Sequence, residues 1–458
     1  MRRQKSRFGV TILLLIVLAF IGGAFYLANS PMFERNAPTI EMPDRIFWNL
    51  KRPIAVRLKD DSGIKSYTIT LSDGGGSFVV AQKRLSAPSR EVTVPVTLPR
   101  AGWNRRATSA VMKIVVHDAS RWNMFKGNVA VKEVAITIDA VRPDAFVLTN
   151  SYSITQGGSA LVVFAARDDH LKRVEIHTSF GKIFKAEPFY KAGYYAALIA
   201  WPVTVKRFRA WVEAEDAAGN LSKAHIPLYL KSYCYRRSNI TLKDRFLDGK
   251  IADLSSQFDE TANVIDPLER FKIINEDIRK KNEALIHKYS RQVSDHLIRR
   301  WSVKPFHPLK NAKKVASFGD HRIYFYKGKR VSESYHLGLD LASVKMADVK
   351  ASNPGRVAFA GYNGIYGNMP LIDHGLGLYT LYGHCSTLYV KEGDDVRRGE
   401  TIAKTGKTGL ALGDHLHFGV LVQGIEVRPV EWMDSHWIKD NIATVFDTAR
   451  RMIDRRSR

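Results

Sequence analysis

Three histidine sites fall within 82 residues near the C-terminal end of this 458-residue chain. They are "HLGLD" (His336–Asp340), "YGHCS" around His384, and "DHLHF", which holds His415 and His417. Fourteen histidines occur in all, so any one site alone is an ordinary surface pair or a structural strand histidine. Together, in one glycine-rich stretch, they fit a metal. Catalytic zinc takes three protein ligands at about 2.0–2.2 Å and keeps one position open, so its ligand atoms lie only roughly 3–3.5 Å apart. In a strand, residues i and i+2 share a face, which puts His415 and His417 side by side, about 6.6 Å apart at the backbone. One can bind metal while the other stands beside it. His336 and Asp340 would be about 13 Å apart if extended, so that segment must turn, and Gly338 permits it. One carboxylate with two imidazoles leaves a net positive site around Zn²⁺, which lowers the pKa of bound water.

Other residues nearby invite rival chemistry. Cys385 beside His384 raises a thiolate–histidine mechanism. If "LYTLYGHCS" is a strand, however, adjacent side chains face opposite ways, and Cys385 points away when His384 points in. His374 in "DHGLG" sits at a hairpin turn and reads as structural. His307 and His321 have no partner by spacing.

Several elements must position these residues. The sequence predicts a mainly β, multidomain protein. Segment 306–435 reads as a compact antiparallel all-β unit of short strands and Gly-containing turns, such as "GRVAFAG", "MPLIDHG" and "DHLHFGVLV". A basic helical tail, 436–458, follows it. Segment 233–305 reads as a helical linker. Its "DPLERFKIINEDIRKKNEALIHKYSRQVSDHL" opens with Asp266 as N-cap, Pro267 at the first helical position and Glu269 three residues after the cap. Leu268, Phe271, Ile274, Ile278, Leu285, Tyr289, Val293 and Leu297 then recur at helical spacing. Residues 37–140 and 141–232 alternate apolar and polar residues between turn signals. Val56–Ile69 and Val163–Ile176 share a pattern of strand, Asp pair, strand. Two tandem β-sandwiches fit this, and they resemble bacterial immunoglobulin-like modules.

The "HLGLDLAS", "YGNMPLIDHGLGLYTLYGHCSTLYVKEGDDVRRGETIAKTGKTG" and "GDHLHFGVLVQGIEVRPVEW" stretches resemble the lysostaphin/LytM-type zinc metallopeptidases that cut peptidoglycan. The resemblance runs from about Val315 to Trp432, a quarter of the chain, and "SFGDHR" (Ser317–Arg322) resembles the family's entry into the domain. It implies one Zn²⁺ ion with His336, Asp340 and His417 as ligands. It makes His384 and His415 the catalytic imidazoles, which orient or deprotonate the activated water and stabilise the tetrahedral intermediate. Some family members have lost ligands and act as non-enzymatic activators; all five positions are kept here. "IYFYKGKRVSESY" before His336 departs from the pattern and bears on the shape of the cleft.

Location follows from residues 1–30. Arg2, Arg3, Lys5 and Arg7 precede an uncharged run from Phe8 to Ala28, about 31 Å of helix against a bilayer core of roughly 30 Å. This predicts a single-pass transmembrane anchor with the N-terminus in the cytoplasm and the rest exported. A cleaved signal peptide, with small residues in "YLANS", is the alternative. The two cysteines, Cys234 and Cys385, do not make a disulfide scaffold. The formal charge of +25 favours polyanions, and outside the cytoplasmic membrane that means acidic cell-wall polymers, with no nucleic acid partner. The combined expectation is a membrane-anchored, zinc-dependent endopeptidase of the bacterial cell envelope that hydrolyses peptidoglycan peptide bonds. The β-sandwiches would act as spacers or contact envelope proteins. The alternatives are a non-catalytic activator of another wall hydrolase, and an adhesion protein in which the sandwiches do the work.

Overall fold

The computed structural model describes residues 7–456. They divide into two compact units: Met1–Pro143 with Asp169–Lys172 and Glu215–Leu221, and the remainder from Asp144 to Arg458. Strands dominate both, with few helices. Both cysteines are free thiols.

The N-terminal helix runs Arg7–Asn29. Its side chains are described without a break from Thr11 to Gly23, and Leu13, Leu15, Ile16 and Phe20 there are all exposed. Among the described residues no helix is long and apolar enough to cross a membrane. Arg2, Arg3 and Lys5, which orient the expected anchor, lie outside the described residues. The transmembrane anchor expected from the sequence therefore has no support in the described structure.

The first unit holds a six-stranded sheet in the order Thr39–Glu41, Ile54–Ser72, Ser109–Asp118, Val129–Ile138, Arg45–Trp48, with Ser77–Val96 also paired to Ile54–Ser72. The two apolar runs flanking Asp60 and Asp61 form one long strand. It is broken in register between Lys59 and Ile64, where Gly63 takes a φ of +93°. Period-two alternation buries Val56, Leu58, Ile69 and Leu71 against Met112, Ile114 and Val116.

The second unit combines two four-stranded sheets, built from residues 144–225, with the helical segment and the histidine-bearing β domain. Ser159–Arg167, an almost unbroken apolar run, is buried along nearly its whole length, as expected for a strand covered on both faces. One apolar core runs from this strand into the β domain and the C-terminal helix Thr444–Arg456. Gln423 ties the parts together: its Nε2 donates to the Lys185 carbonyl at 2.9 Å, and its Oε1 accepts from the Lys185 N–H at 2.9 Å. Trp432 Nε1 donates to Ser159 Oγ at 3.1 Å. The C-terminal helix turns Val445, Phe446, Ala449 and Ile453 inward; its basic residues lie largely on the other face.

Asp266 caps the helical segment through Leu268 N–H, whereas Glu269 pairs with Lys272 rather than closing a capping box. The helix continues through a wider turn at Ile274–Ile278 to Ser290. Val293 and Leu297 of the predicted periodicity lie beyond its end. A further short helical stretch, Asp244–Ser255, precedes it.

The β domain is an antiparallel sheet in the order Lys313–Ala316, Leu339–Ala342, Leu416–Val422, Leu378–Gly383, Asn368–Asp373, Gly355–Tyr362, Asp395–Val396. The "IYFYKGKRVSESY" insertion forms a hairpin, His321–Tyr326 with Lys329–Tyr335. Its two turn residues, Lys327 and Gly328, both take positive φ, the mirror-image turn that suits strand twist. Arg237–Thr241 adds a parallel third strand.

Glu187 is 2% exposed, and its Oε1 has no hydrogen-bond partner among the described residues. Burial pushes its carboxyl up to about 7 from an ordinary 4.5. Between those values the folded chain keeps a proton that the unfolded chain has released, so stability falls as pH rises through this window and the full penalty is present above it. Glu187→Gln should remove a penalty on the order of 3 kcal/mol at pH 8 and little at pH 5. Melting curves at both pH values check this; an equal offset at the two would refute it.

Candidate metal centre

Strand pairing brings the first two donors together. Asp340 and His417 are direct partners on adjacent antiparallel strands. On the other side of Leu416–Val422, Gly383 pairs with His417, which delivers His384 at the strand end. His336 lies just before Leu339–Ala342, its N–H donating to the Asp320 carbonyl at 3.0 Å. His415 precedes the strand and bridges to Gly406.

The three donor atoms lie close together. His336 Nε2 is 3.0 Å from Asp340 Oδ1, His417 Nδ1 is 2.9 Å from the same oxygen, and the two nitrogens are 3.2 Å apart. Zinc bonds of about 2.0–2.2 Å in a tetrahedral arrangement put ligand atoms roughly 3.3 Å apart. His336 Nδ1 faces the Ser317 carbonyl at 2.9 Å. A carbonyl only accepts, so Nδ1 carries the proton and a neutral ring turns a bare Nε2 toward Asp340. Two acceptors 3.0 Å apart repel unless a proton or cation lies between them. Donor set, spacing and the anchored ring therefore fit a bound zinc ion.

The remaining two imidazoles are held in the same way. His384 Nδ1 donates to the Thr408 carbonyl at 2.8 Å and His415 Nδ1 to the Gly413 carbonyl at 2.8 Å. Their rings are tilted by 49° to each other, with centroids 4.9 Å apart. His415 Nε2 lies 3.7 Å from Asp340 Oδ1. His336, His384 and His417 are buried and His415 half-buried. Burial, then the nearby His417 and His415, push His384 down to about 3, so its ring is neutral and its Nε2 is a hydrogen-bond acceptor. Burial also lowers His417. Burial opposes the charge of Asp340, but the His336 and His417 nitrogens outweigh it and hold the carboxyl well below the usual range. His384 takes a φ of +65°, an uncommon conformation for a non-glycine residue and one found at functional sites.

Each of the five residues singled out in the sequence lies in this cluster. His374, by contrast, is buried in the turn, with Nδ1 on the Pro354 carbonyl and Nε2 on Thr380 Oγ1. Cys385 is fully buried, its thiol turned to the Tyr382 carbonyl and pushed by burial up to about 12, which removes a thiolate nucleophile. His321 pairs with Glu333.

Sequence reasoning passed over two supporting residues, Tyr366 and Asn282, and read in Gly338 only a turn. Gly338 does more than permit a turn, since a Cβ there would fall on the His417 ring. Gly338→Ala should therefore displace that ring and weaken zinc affinity by about 10–100-fold, the scale of lost ligand support. Chelator competition on the folded variant measures it; wild-type affinity would sink the idea. Tyr366 packs its ring 5.5 Å from His417, and its carbonyl accepts the His384 N–H at 2.8 Å. That loop is in turn held by Asn282 of the helical segment, whose Oδ1 accepts the Ile365 N–H at 2.9 Å. Nothing local in the sequence marks Asn282, which acts 83 residues away.

The sequence model of peptidase family M23 matches residues 334–429. Over 95 residues the chain is 42% identical to the DD-carboxypeptidase/endopeptidase Mpg of Neisseria meningitidis serogroup B, covering 21% of this chain and 22% of that protein. It is 34% identical over 130 residues to the peptidoglycan DD-endopeptidase ShyA of Vibrio cholerae, covering 28% and 29%. It is also 35% identical over 104 residues to the murein hydrolase activator NlpD of Salmonella dublin, covering 22% and 27%. The matched stretch is thus less than a third of each relative. Within it lie His336, Asp340, His384, His415 and His417, and it is this stretch, residues 334–429, that is a peptidase family M23 domain of the LytM/lysostaphin type.

Proposed function

We propose that this protein is a zinc-dependent endopeptidase that hydrolyses peptide bonds of peptidoglycan. The observation that carries this reading is the approach of His336, Asp340 and His417 donor atoms to within 2.9–3.2 Å of one another, with two further imidazoles facing them. One zinc ion held by these three residues supplies Lewis acidity to the scissile carbonyl and to water. His384 and His415, each fixed through Nδ1, present Nε2 to accept a proton from water and return it to the leaving amine. The cleft above them has a volume of about 800 Å³, enough for several peptide residues.

The N-terminal helix is proposed to hold the enzyme at the cytoplasmic membrane, with residues 37–140 and 141–232 as spacer modules that reach toward the wall or contact envelope proteins. A reporter fused at the C-terminus, active outside but not inside the cytoplasmic membrane, tests that placement.

The deciding experiment incubates the full chain in detergent micelles with purified sacculi and identifies released fragments by mass spectrometry. Fragments should disappear with chelator and return with zinc. The similarity to an activator favours a second reading, in which the domain stimulates a partner hydrolase. Zinc-loaded, folded protein that releases nothing alone but accelerates another wall hydrolase would establish that instead.

A further inference from the structure

One wall of the cleft does not come from the peptidase domain. Its cationic side chains are Lys243, Arg245 and Lys250 from the segment that precedes the domain, Arg279 from the following helix, and Arg322 from the inserted hairpin. Against these five charges the lining offers two carboxylates. Asp340 faces the metal position, and Asp414 already accepts from Thr405 Oγ1 at 2.6 Å and Met346 N–H at 3.1 Å.

The cations differ in what they already hold. Arg322 lies 3.6 Å from Asp320, Arg279 donates twice to Asn275, and Lys250 Nζ is on the Lys407 carbonyl at 3.2 Å. Lys243 and Arg245 have no carboxylate partner among the described residues and are exposed on the cleft wall. Like charges gathered in a partly enclosed cleft repel one another more than in open water, and an anionic ligand relieves that repulsion. Phe246, beside Arg245, and Leu412 supply apolar surface on the same lining, which suits a peptide rather than a bare ion.

We infer that Lys243 and Arg245 form a subsite for a free carboxylate on the substrate peptide, so that the enzyme selects acidic stem peptides over amidated or uncharged ones. This rests on the endopeptidase reading for its substrate, but binding can be measured without turnover. Arg245 supplies a planar fork suited to a carboxylate, and Lys243 adds a mobile point charge.

The test uses the full chain carrying His415→Ala, so that bound peptide is not consumed. Calorimetry compares a synthetic stem peptide with free carboxylates against the same peptide fully amidated. The acidic peptide should bind about tenfold more tightly at low salt, with the preference shrinking as ionic strength rises. Adding Lys243→Gln and Arg245→Gln should erase the preference and leave affinity for the amidated peptide unchanged; both side chains are exposed, and a melting curve checks the fold. Equal affinity for the two peptides, binding of neither, or a preference that survives the double change overturns the subsite. So does inorganic phosphate binding there more tightly than the acidic peptide. A wild-type chain that binds acidic peptide selectively yet cuts no sacculi would fail the endopeptidase reading while leaving the subsite standing.

Discussion

Alanine at His417 should abolish zinc binding and peptide hydrolysis together, lowering the rate by about 10³-fold or more. The scale follows from the several kcal/mol that metal polarisation contributes to such a transition state, at about 1.4 kcal/mol per tenfold. Structure makes His417 the most sensitive of the three donors. Its strand pairs with Asp340 on one side and Gly383 on the other, and its ring touches Tyr366 and His336 as well. The substitution leaves His336 Nε2 and Asp340 Oδ1 in contact at 3.0 Å, with one donor too few to hold an ion between them. Metal analysis gives one readout. A second is thermal: a ligand that binds only the folded state raises its stability by roughly 4 kcal/mol at a thousandfold excess over Kd. Zinc should therefore raise the melting temperature of the wild type and not that of the variant. A variant that retains one zinc per chain and the same thermal response would remove His417 from the ligand set.

His384→Ala and His415→Ala should behave differently, keeping zinc while slowing turnover by about 10²–10⁴-fold, the range for lost proton transfer by a positioned side chain. Both rings already have Nδ1 committed to a backbone carbonyl, so only Nε2 is available to the reaction. His384 is held near 3 by burial and by its histidine neighbours. Its ring is therefore neutral across the working pH range, with Nε2 able to accept a hydrogen bond. His415, with a side chain 16% exposed, stands nearer the solvent side of the cleft. The measurement is a paired one of zinc content and kcat, with KM expected to change little. Loss of zinc in either variant would move that histidine into the ligand set, and turnover within a fewfold of wild type would deny it a catalytic role.

Much of the site was legible because its signals are local. His415 and His417 are two residues apart, and although the strand begins only at Leu416, the extended chain there still turns both rings toward Asp340. The close of the Asp266-capped helix was harder to read: apolar spacing continues to Leu297, but the helix ends at Ser290. Apolar periodicity records which residues can be buried, and not whether a helix or an irregular chain buries them. The same ambiguity made one strand, Ile54–Ser72, look like two.

By itself the sequence singled out the five residues that converge on the candidate metal position, the β character of the segments around them, and the turn at Gly338. Tertiary structure alone decided how they meet. His336 and His417 are 81 residues apart in the chain, and their nitrogens come to 3.2 Å because three strands hydrogen-bond in one register. That register also chose Nε2 of His336 and Nδ1 of His417, a choice of ring orientation that composition and spacing do not encode. Asn282 under the Tyr366 loop, and Lys243 and Arg245 on the cleft wall, have no local signature at all. Their roles arise from packing between segments far apart in the chain, where proximity is set by the fold and not by sequence distance.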